Sequence, residues 1–266
     1  MSLTAAAIDA ARAEGRAALI IYLPVGYPTL ELSVEAAKRA VAAGADVIEL
    51  GLPYSDPGMD GPVIEAAAGR ALAQGTRTRD VLAAVSEVAA TGAPTLVMTY
   101  YNPVFRYGVD RFAADLAAAG GAGLITADLI PDEAGDWVAA ADGHDLDKVF
   151  VVAPSSTDAR LAMTAAAGRG FVYAASTMGV TGTRASVGVA AHSLVTRLRD
   201  AGAERVCVGL GVSTGAQAAE VARYADGVIV GSAVVKALSS SPDPQTALEA
   251  LSTIVGELAA GVGASR

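Results

Sequence analysis

The stretch LSVEAAKRAVAAGADVIELG, residues 32–51, contains one complete unit of the pattern that decides the fold. Apolar residues and alanines at helical spacing over Leu32–Ala43 predict a helix, and Gly44 in the following Ala-Gly-Ala turn is typical of a helix end. The short apolar run Val47–Gly51 then predicts a β-strand. A helix joined by a tight turn to a buried strand is the repeating element of α/β proteins.

The same alternation recurs eight times along the chain. The strand candidates are apolar throughout, which indicates a parallel sheet covered by helices: Ala18–Tyr22, Val47–Gly51, Thr95–Tyr100, Gly123–Ala127, Lys148–Val152, Phe171–Ala175, Arg205–Gly209 and Gly227–Val230. Helical patterns lie between them, among others at Leu32–Ala43, Asp80–Ala90, Val109–Ala119, Ser186–Ala201 and Gly215–Tyr224. We therefore predict an α/β fold in which residues 1–266 form a single (β/α)₈ TIM-barrel domain, with a doubly wound open sheet as the alternative.

The composition excludes several classes of protein. Of the 266 residues 53% are hydrophobic, which argues against intrinsic disorder, and the single cysteine, Cys207, argues against a disulfide-stabilised scaffold. The net charge of −9 argues against nucleic acid and anionic membranes as partners, because both are bound by clustered Lys and Arg. The sequence shows neither a transmembrane run nor a signal-peptide pattern, so we expect a cytoplasmic protein.

The segment between Gly51 and a helix that begins near Asp80 is unusually long and rich in proline and glycine. We expect it to form a long loop after the second strand. Long loops in compact domains are usually functional. In a barrel this loop lies at the C-terminal face, where active sites are found.

Glu49 is a carboxylate inside an otherwise apolar strand. Alternation places Val47, Glu49 and Gly51 on one face, with Ile48 and Leu50 facing the helices, so Glu49 is expected in the mouth of the barrel. Burial raises the pKa of a carboxyl, and a carboxyl near neutrality in a cleft suits general acid–base catalysis. A buried salt bridge with an arginine is the alternative.

Asp60 follows in the Met-Asp-Gly-Pro stretch of residues 59–62. On its own such an aspartate is typical of a turn or a helix cap, but beside Glu49 it would supply a second carboxylate with a separate role. Asp56, in Ser-Asp-Pro, is equally typical of a turn.

Glycine-rich turns follow the last three strands, at residues 179–183, 209–213 and 231–233. The last of them leads directly into a helix, whose free N–H groups attract an anion, and barrels often bind phosphate after strands 7 and 8. Tight turns without a ligand are the alternative, but three such turns in one sector favour phosphate.

The lysines and histidines of the sequence do not indicate a Schiff base, a metal or a cofactor. None of the three lysines, Lys38, Lys148 and Lys236, lies where a barrel aldolase places its Schiff base, and His144 and His192 are expected on the surface. Ligand clusters for a metal and nucleotide fingerprints are absent from the sequence, so we expect no metal and no cofactor.

Five motifs, in order and at matching spacing over essentially the whole chain, resemble the signature of the tryptophan synthase α chain family. They are IELGLPYSDP at 48–57 with DGP at 60–62, MTYYNP at 98–103, MGVTG at 178–182, GLGV at 209–212 and GSAVVK at 231–236. The resemblance implies a (β/α)₈ barrel and a carbon–carbon lyase. Its reaction is the cofactor-free cleavage of indole-3-glycerol phosphate to indole and glyceraldehyde 3-phosphate in tryptophan biosynthesis.

The resemblance also implies roles for individual residues. Glu49 would be the acid–base group, Asp60 the partner of the indole N–H, and Tyr173 a tyrosine near Glu49. The indole pocket would be lined by Tyr22, Met98, Tyr100, Ile125 and Ile229. Thr181 would belong to a mobile lid that touches Asp60. The phosphate would be held by Gly182, Gly211, Gly231 and Ser232.

The family works with a pyridoxal-phosphate β chain in an α₂β₂ complex, and Asp56 and Asn102 match positions that face this partner. Tyr22 and Met98 stand where many members have Phe and Leu, Thr177 replaces an arginine of some lids, and Arg106 replaces a common asparagine. Three other functions stay open: a non-catalytic barrel that only activates a partner, a lyase acting without a β chain, and another phosphate-binding barrel enzyme such as an isomerase.

Overall fold

The computed structural model describes residues 1–175, 184–209 and 211–264, and within this part the side chains of residues 184–187 are not described. Eight parallel strands close into a barrel in which each strand pairs with the next and the last pairs with the first. They are β1 (Ala18–Pro24), β2 (Val47–Gly51), β3 (Thr95–Thr99), β4 (Gly123–Thr126), β5 (Asp147–Val152), β6 (Val172–Ala175), β7 (Val206–Gly209) and β8 (Gly227–Val230). The predicted barrel is confirmed and the open-sheet alternative is wrong, because β8 closes on β1.

The helices surround this barrel. They are α1 (Leu3–Ala13), α2 (Leu30–Ala42), α3 (Pro62–Ala73), α4 (Thr78–Ala89), α5 (Tyr101–Tyr107), α6 (Val109–Ala118), α7 (Gly135–Gly143), α8 (Asp158–Ala167), α9 (Arg184–Asp200), α10 (Gly215–Ala222), α11 (Ser232–Leu238) and α12 (Pro244–Gly263). In the described part of the chain, no helix combines the length and the apolar character needed to cross a membrane.

Alternate residues of the strands belong to two separate apolar clusters. Ile20, Val47 and Leu96 lie in the cluster inside the barrel, whereas Ile48 and Leu50 belong to the larger cluster between barrel and helices. Because successive strand residues point to opposite faces, this division follows directly from the sequence. It places the side chain of residue 49 on the inner face.

The loop after β2 is shorter than the sequence predicted, because α3 begins at Pro62 and not near Asp80. Proline is favourable at the first position of a helix, where its missing N–H has no intrahelical partner and its ring already holds a helical φ. Pro62 therefore starts a helix and does not extend the loop. The remaining loop, residues 52–61, still follows the C-terminal end of β2.

Helix α1 closes the opposite end of the barrel. Its residue Ile8 is wholly buried in the inner cluster. Ser2 and Thr4 at its start donate hydrogen bonds to the carboxylate of Asp147, the first residue of β5, and Arg169 lies 3.4 Å from the same carboxylate. With its N-terminal end closed, the barrel is left with its C-terminal end for a site.

Candidate active site

A cavity of about 830 Å³ opens at the C-terminal ends of the strands. Its wall combines the ends of β1, β3, β6, β7 and β8 with the loop after β2 and the start of α11. It brings together many of the predicted site residues: Tyr22, Asp60, Met98, Tyr100, Tyr173, Gly211, Ile229, Gly231 and Ser232. The volume is within the usual range for pockets that enclose a small organic ligand.

Glu49 lies on the inner face of β2, wholly buried, and is not among the residues that line the cavity. Neither of its carboxylate oxygens has a hydrogen-bond partner among the residues that the structure describes. The predicted alternative, a salt bridge with an arginine, is not found in that part of the chain. Burial raises the pKa of Glu49 to about 8, because removal of water disfavours the charged form. At neutral pH the carboxyl is therefore mostly protonated and able to donate a proton.

Asp60 lies at the rim of the same cavity and is held by a tyrosine. The hydroxyl of Tyr100 donates to its carboxylate at 3.0 Å and accepts from the backbone N–H of Met59 at 2.9 Å. Burial raises the pKa of Asp60, while the hydrogen bond from Tyr100 opposes the rise. The loop residue is thus oriented by a side chain at the end of β3, and its second oxygen is left for a ligand in the cavity.

Two further tyrosines pack against glycines at the strand ends. A methyl group at Gly51 would collide with the phenol oxygen of Tyr22, and one at Gly209 would collide with that of Tyr173. Both phenols have raised pKa values, chiefly because of burial and then because of the nearby carboxyls, so both remain protonated. Each ring needs a residue without a Cβ on its neighbouring strand.

The glycine turns form the other end of the cavity. Gly231, the N-cap residue of α11, has no side chain to cap the helix, and Ser232 in the first turn lines the cavity, so the N–H groups of this turn have no capping side chain from the described residues. Lys236 also lines the cavity and is the single cationic side chain among the described residues of its wall. The sequence alone excludes Lys236 as a Schiff-base lysine and indicates no other role for it. Its spacing of four residues from Ser232, which places both on one face of α11, is the signal that was available.

The remaining predicted residues lie in three places. Ile125 is wholly buried inside the barrel and does not itself line the cavity, although its register partner Met98 does. Thr181 and Gly182 lie outside the described residues. Asp56 and Asn102 are exposed at the rim, where the amide of Asn102 lies 3.4 Å from the hydroxyl of Tyr54.

The rim of the cavity also carries exposed apolar side chains that no sequence motif indicated. Met59 and Phe105 are 55% and 63% exposed, respectively. The ring of Phe105 packs beside Tyr101, in the helix that also contains Asn102. This rim therefore presents apolar side chains next to the polar side chains of Asp56 and Asn102.

Other titratable groups lie outside the cavity. His144 and His192 are exposed, as predicted. Lys148 is paired with Asp142 at the start of β5. No group of three or more His, Cys, Asp or Glu residues that would hold a metal ion occurs among the described residues.

Comparison with known proteins agrees with this geometry. The sequence profile of the family "Tryptophan synthase alpha chain" matches residues 8–263. The tryptophan synthase alpha chain of Thermobifida fusca is 59% identical over 259 residues, which cover 96% of each chain. A solved structure of Mycobacterium tuberculosis tryptophan synthase superimposes with a TM-score of 0.91 at 57% identity over 97% of both chains. The alpha chain of Legionella pneumophila is 29% identical, with a TM-score of 0.88 over 98% of this chain and 97% of that one. This chain therefore belongs to the tryptophan synthase alpha chain family.

Proposed function

We propose that Glu49 and Asp60 carry out, in this chain, the alpha reaction of its family, the cleavage of indole-3-glycerol phosphate to indole and glyceraldehyde 3-phosphate. The observation that carries the proposal is the Glu49 carboxyl, wholly buried, without a hydrogen-bond partner in the described part of the chain, and with a pKa of about 8. Burial of an unpaired carboxyl lowers the stability of the folded protein. A carboxyl with a pKa near neutrality is, however, well suited to transfer protons at neutral pH.

The first proton transfer is to the indole ring. Glu49 turns into the cavity and gives its proton to carbon 3, which makes the ring an electron-poor indolenine cation. Asp60 accepts a hydrogen bond from the ring N–H and stabilises this positive charge. The hydrogen bond from Tyr100 keeps the Asp60 carboxylate in place during the step.

The second transfer breaks the carbon–carbon bond. The Glu49 carboxylate left by the first step removes the proton of the side-chain 3′-hydroxyl. A lone pair of this oxygen forms the aldehyde carbonyl as the bond between indole carbon 3 and the side chain breaks. The electrons of that bond return to the indole ring and neutralise its positive charge. One carboxyl then ends the cycle protonated, as it began, and no redox partner or imine is required.

The two ends of the cavity suit the two ends of the substrate. Met98 and Ile229 give an apolar wall for the indole ring, and the turns at Gly211, Gly231 and Ser232 present backbone N–H groups for the phosphate. We assign Tyr173, Tyr22 and Tyr100 to the wall around the reacting atoms, Thr181 to closure of the site, and Gly182 to the phosphate. We assign Ile125, the register partner of Met98, to the same apolar wall of the indole pocket.

The test of the catalytic assignment is Glu49→Gln, which keeps the shape of the side chain and removes its acid–base capacity. We expect indole release from indole-3-glycerol phosphate to fall by a factor of about 10² to 10⁴. Glu257→Gln, a surface change on α12, is the matched control and is expected to keep full activity. Undiminished indole release by Glu49→Gln would exclude Glu49 as the acid–base group.

We further propose that the chain works in an α₂β₂ complex with a tryptophan synthase β chain, which docks on the rim that carries Asp56, Asn102 and Phe105. Support comes from the family and from the exposed aromatic side chain beside two polar residues. Mixing with a β chain should give a complex on size-exclusion chromatography and faster indole release. A lyase that works alone would show neither, and a non-catalytic barrel would bind without releasing indole.

We propose a cytoplasmic location for this biosynthetic reaction. The free and buried thiol of Cys207 is compatible with a reducing compartment. Fractionation of the source cells, with activity as the marker, tests the location.

A further inference from the structure

The side chain of Tyr22 occupies the space between Glu49 and the cavity. Tyr22 and Glu49 are Cα partners on neighbouring parallel strands, so both point to the inside of the barrel. The Cβ side of the Tyr22 ring packs against Gly231 at the end of β8, and the Tyr22 hydroxyl packs against Gly51. Gly51 is two residues beyond Glu49 on the same face of β2, toward the cavity. Tyr22 lines the cavity and Glu49 does not, so the Tyr22 hydroxyl lies on the cavity side of the Glu49 carboxyl.

The hydroxyl of Tyr22 is also an available donor at this point. The hydroxyl of Tyr100 already donates a hydrogen bond to Asp60. Within the described ranges of the chain both oxygens of Glu49 lack a hydrogen-bond partner, and no hydrogen bond contributes to the raised pKa of Tyr22. The other titratable groups that face this position are Tyr173 from β6 and Cys207 from β7, both protonated because burial raises their pKa values. A carboxylate formed here therefore meets phenols, a thiol and the carboxyl of Asp60, while Lys236, the cation of the described cavity wall, lies on α11 and does not contribute to the raised pKa of Glu49.

We propose that Tyr22 is a positioning residue that donates its phenolic hydrogen to the Glu49 carboxylate once that side chain has turned into the cavity. The inference rests on the proposed role of Glu49. When Glu49 gives its proton to the indole ring, a negative charge forms in a site with little water. A hydrogen bond from Tyr22 stabilises this charge and holds the carboxylate in place for the second proton transfer. Charge-assisted hydrogen bonds of this kind are short and strong.

Tyr22 is one of the positions at which this chain departs from the phenylalanine of many family members. The hydroxyl is therefore not a requirement of ring packing, because a phenylalanine fills the same space between Gly231 and Gly51. Its contribution is confined to the oxygen atom. The substitution Tyr22→Phe removes that atom alone and leaves the apolar contact with the substrate ring in place.

Tyr22→Phe is the test, with kcat and KM measured for indole release across pH 6 to 10. We expect kcat at neutral pH to fall about tenfold and KM to change less than twofold, because hydrogen bonds to charged groups contribute far more than neutral ones. The alkaline limb of kcat, which reports the enzyme–substrate complex, should move up by about one pH unit, since loss of a donor to the charged form raises the pKa of a carboxyl. The limb of kcat/KM, which reports the free enzyme, should stay in place because the bond is absent from the resting structure.

Tyr27→Phe is the matched control. Tyr27 stacks under Arg70 beside α3 and does not line the cavity, so kcat, KM and both pH limbs should be those of the wild type. The inference is overturned if Tyr22→Phe leaves kcat and its alkaline limb unchanged, or if it changes KM alone. If Glu49→Gln keeps its activity, the proposed function itself fails, and this outcome is distinct from a failure of the Tyr22 inference.

Discussion

The buried carboxyl of Glu49 should make the protein less stable as the pH rises, and Glu49→Gln should remove this effect. In the folded protein the pKa of Glu49 is about 8, against 4.5 for a solvated glutamate. Between these two values the folded state holds the proton and the unfolded state has lost it. Stability is then fully present below about pH 4.5 and is lost progressively as the pH approaches 8. Each pH unit in this window costs about 1.4 kcal/mol.

The gap of about 3.5 units between the two pKa values corresponds to about 5 kcal/mol over the whole window. From pH 5 to pH 8 the free energy of unfolding of the wild type should fall by about 4 kcal/mol relative to Glu49→Gln. Because other groups titrate equally in both proteins, the difference between them isolates residue 49. The variant is thus expected to gain stability relative to the wild type as the pH rises from 5 to 8, and to be almost inactive.

The measurement is urea-induced unfolding followed by circular dichroism at half-unit steps between pH 5 and pH 8.5. Glu257→Gln, on the surface of α12, is the control, and its difference from the wild type should stay constant across this range. A constant difference for Glu49→Gln as well would mean that the carboxyl of Glu49 is ionised or paired in the folded protein, which would refute the reasoning behind its catalytic role.

Three further outcomes are expected. In the wild type, kcat/KM should fall as the pH rises through about 8, because Glu49 must be protonated to donate to the indole ring; a pH-rate profile between 6 and 10 measures this, and a flat profile would contradict it. Gly51→Ala should displace the phenol of Tyr22, lowering both kcat and the free energy of unfolding, the latter by about 1 to 3 kcal/mol, as seen by kinetics and urea titration. Asp147→Ala should cost about 3 kcal/mol of stability, because Ser2, Thr4 and Arg169 lose a buried acceptor far from the cavity, and the folded variant should keep the kcat of the wild type; a lower kcat at temperatures where it is folded would show that the closed end of the barrel also affects the site.

The barrel and the inward direction of Glu49 were accessible from the sequence, because both follow from local periodicity. Strand alternation has a period of two residues, so Val47, Glu49 and Gly51 share a face whatever the rest of the chain does. Helix α3 was not recognised, since Pro62 is equally common in loops and at the first position of helices. The family resemblance supplied roles for residues such as Ile229 and Ser232 that composition and spacing alone would have left open.

Only the tertiary structure decided what surrounds these residues. Whether a buried carboxyl is paired depends on side chains from distant strands, and the closed barrel brings Tyr22, Tyr173 and Cys207 to Glu49 without a cation from the described residues. Contacts between residues far apart in the chain, such as Tyr100 with Asp60 and Tyr22 with Gly51, arise from strand order and register. Direction along one strand is a local property of the chain, whereas the electrostatic environment at the end of that strand is a property of the whole barrel.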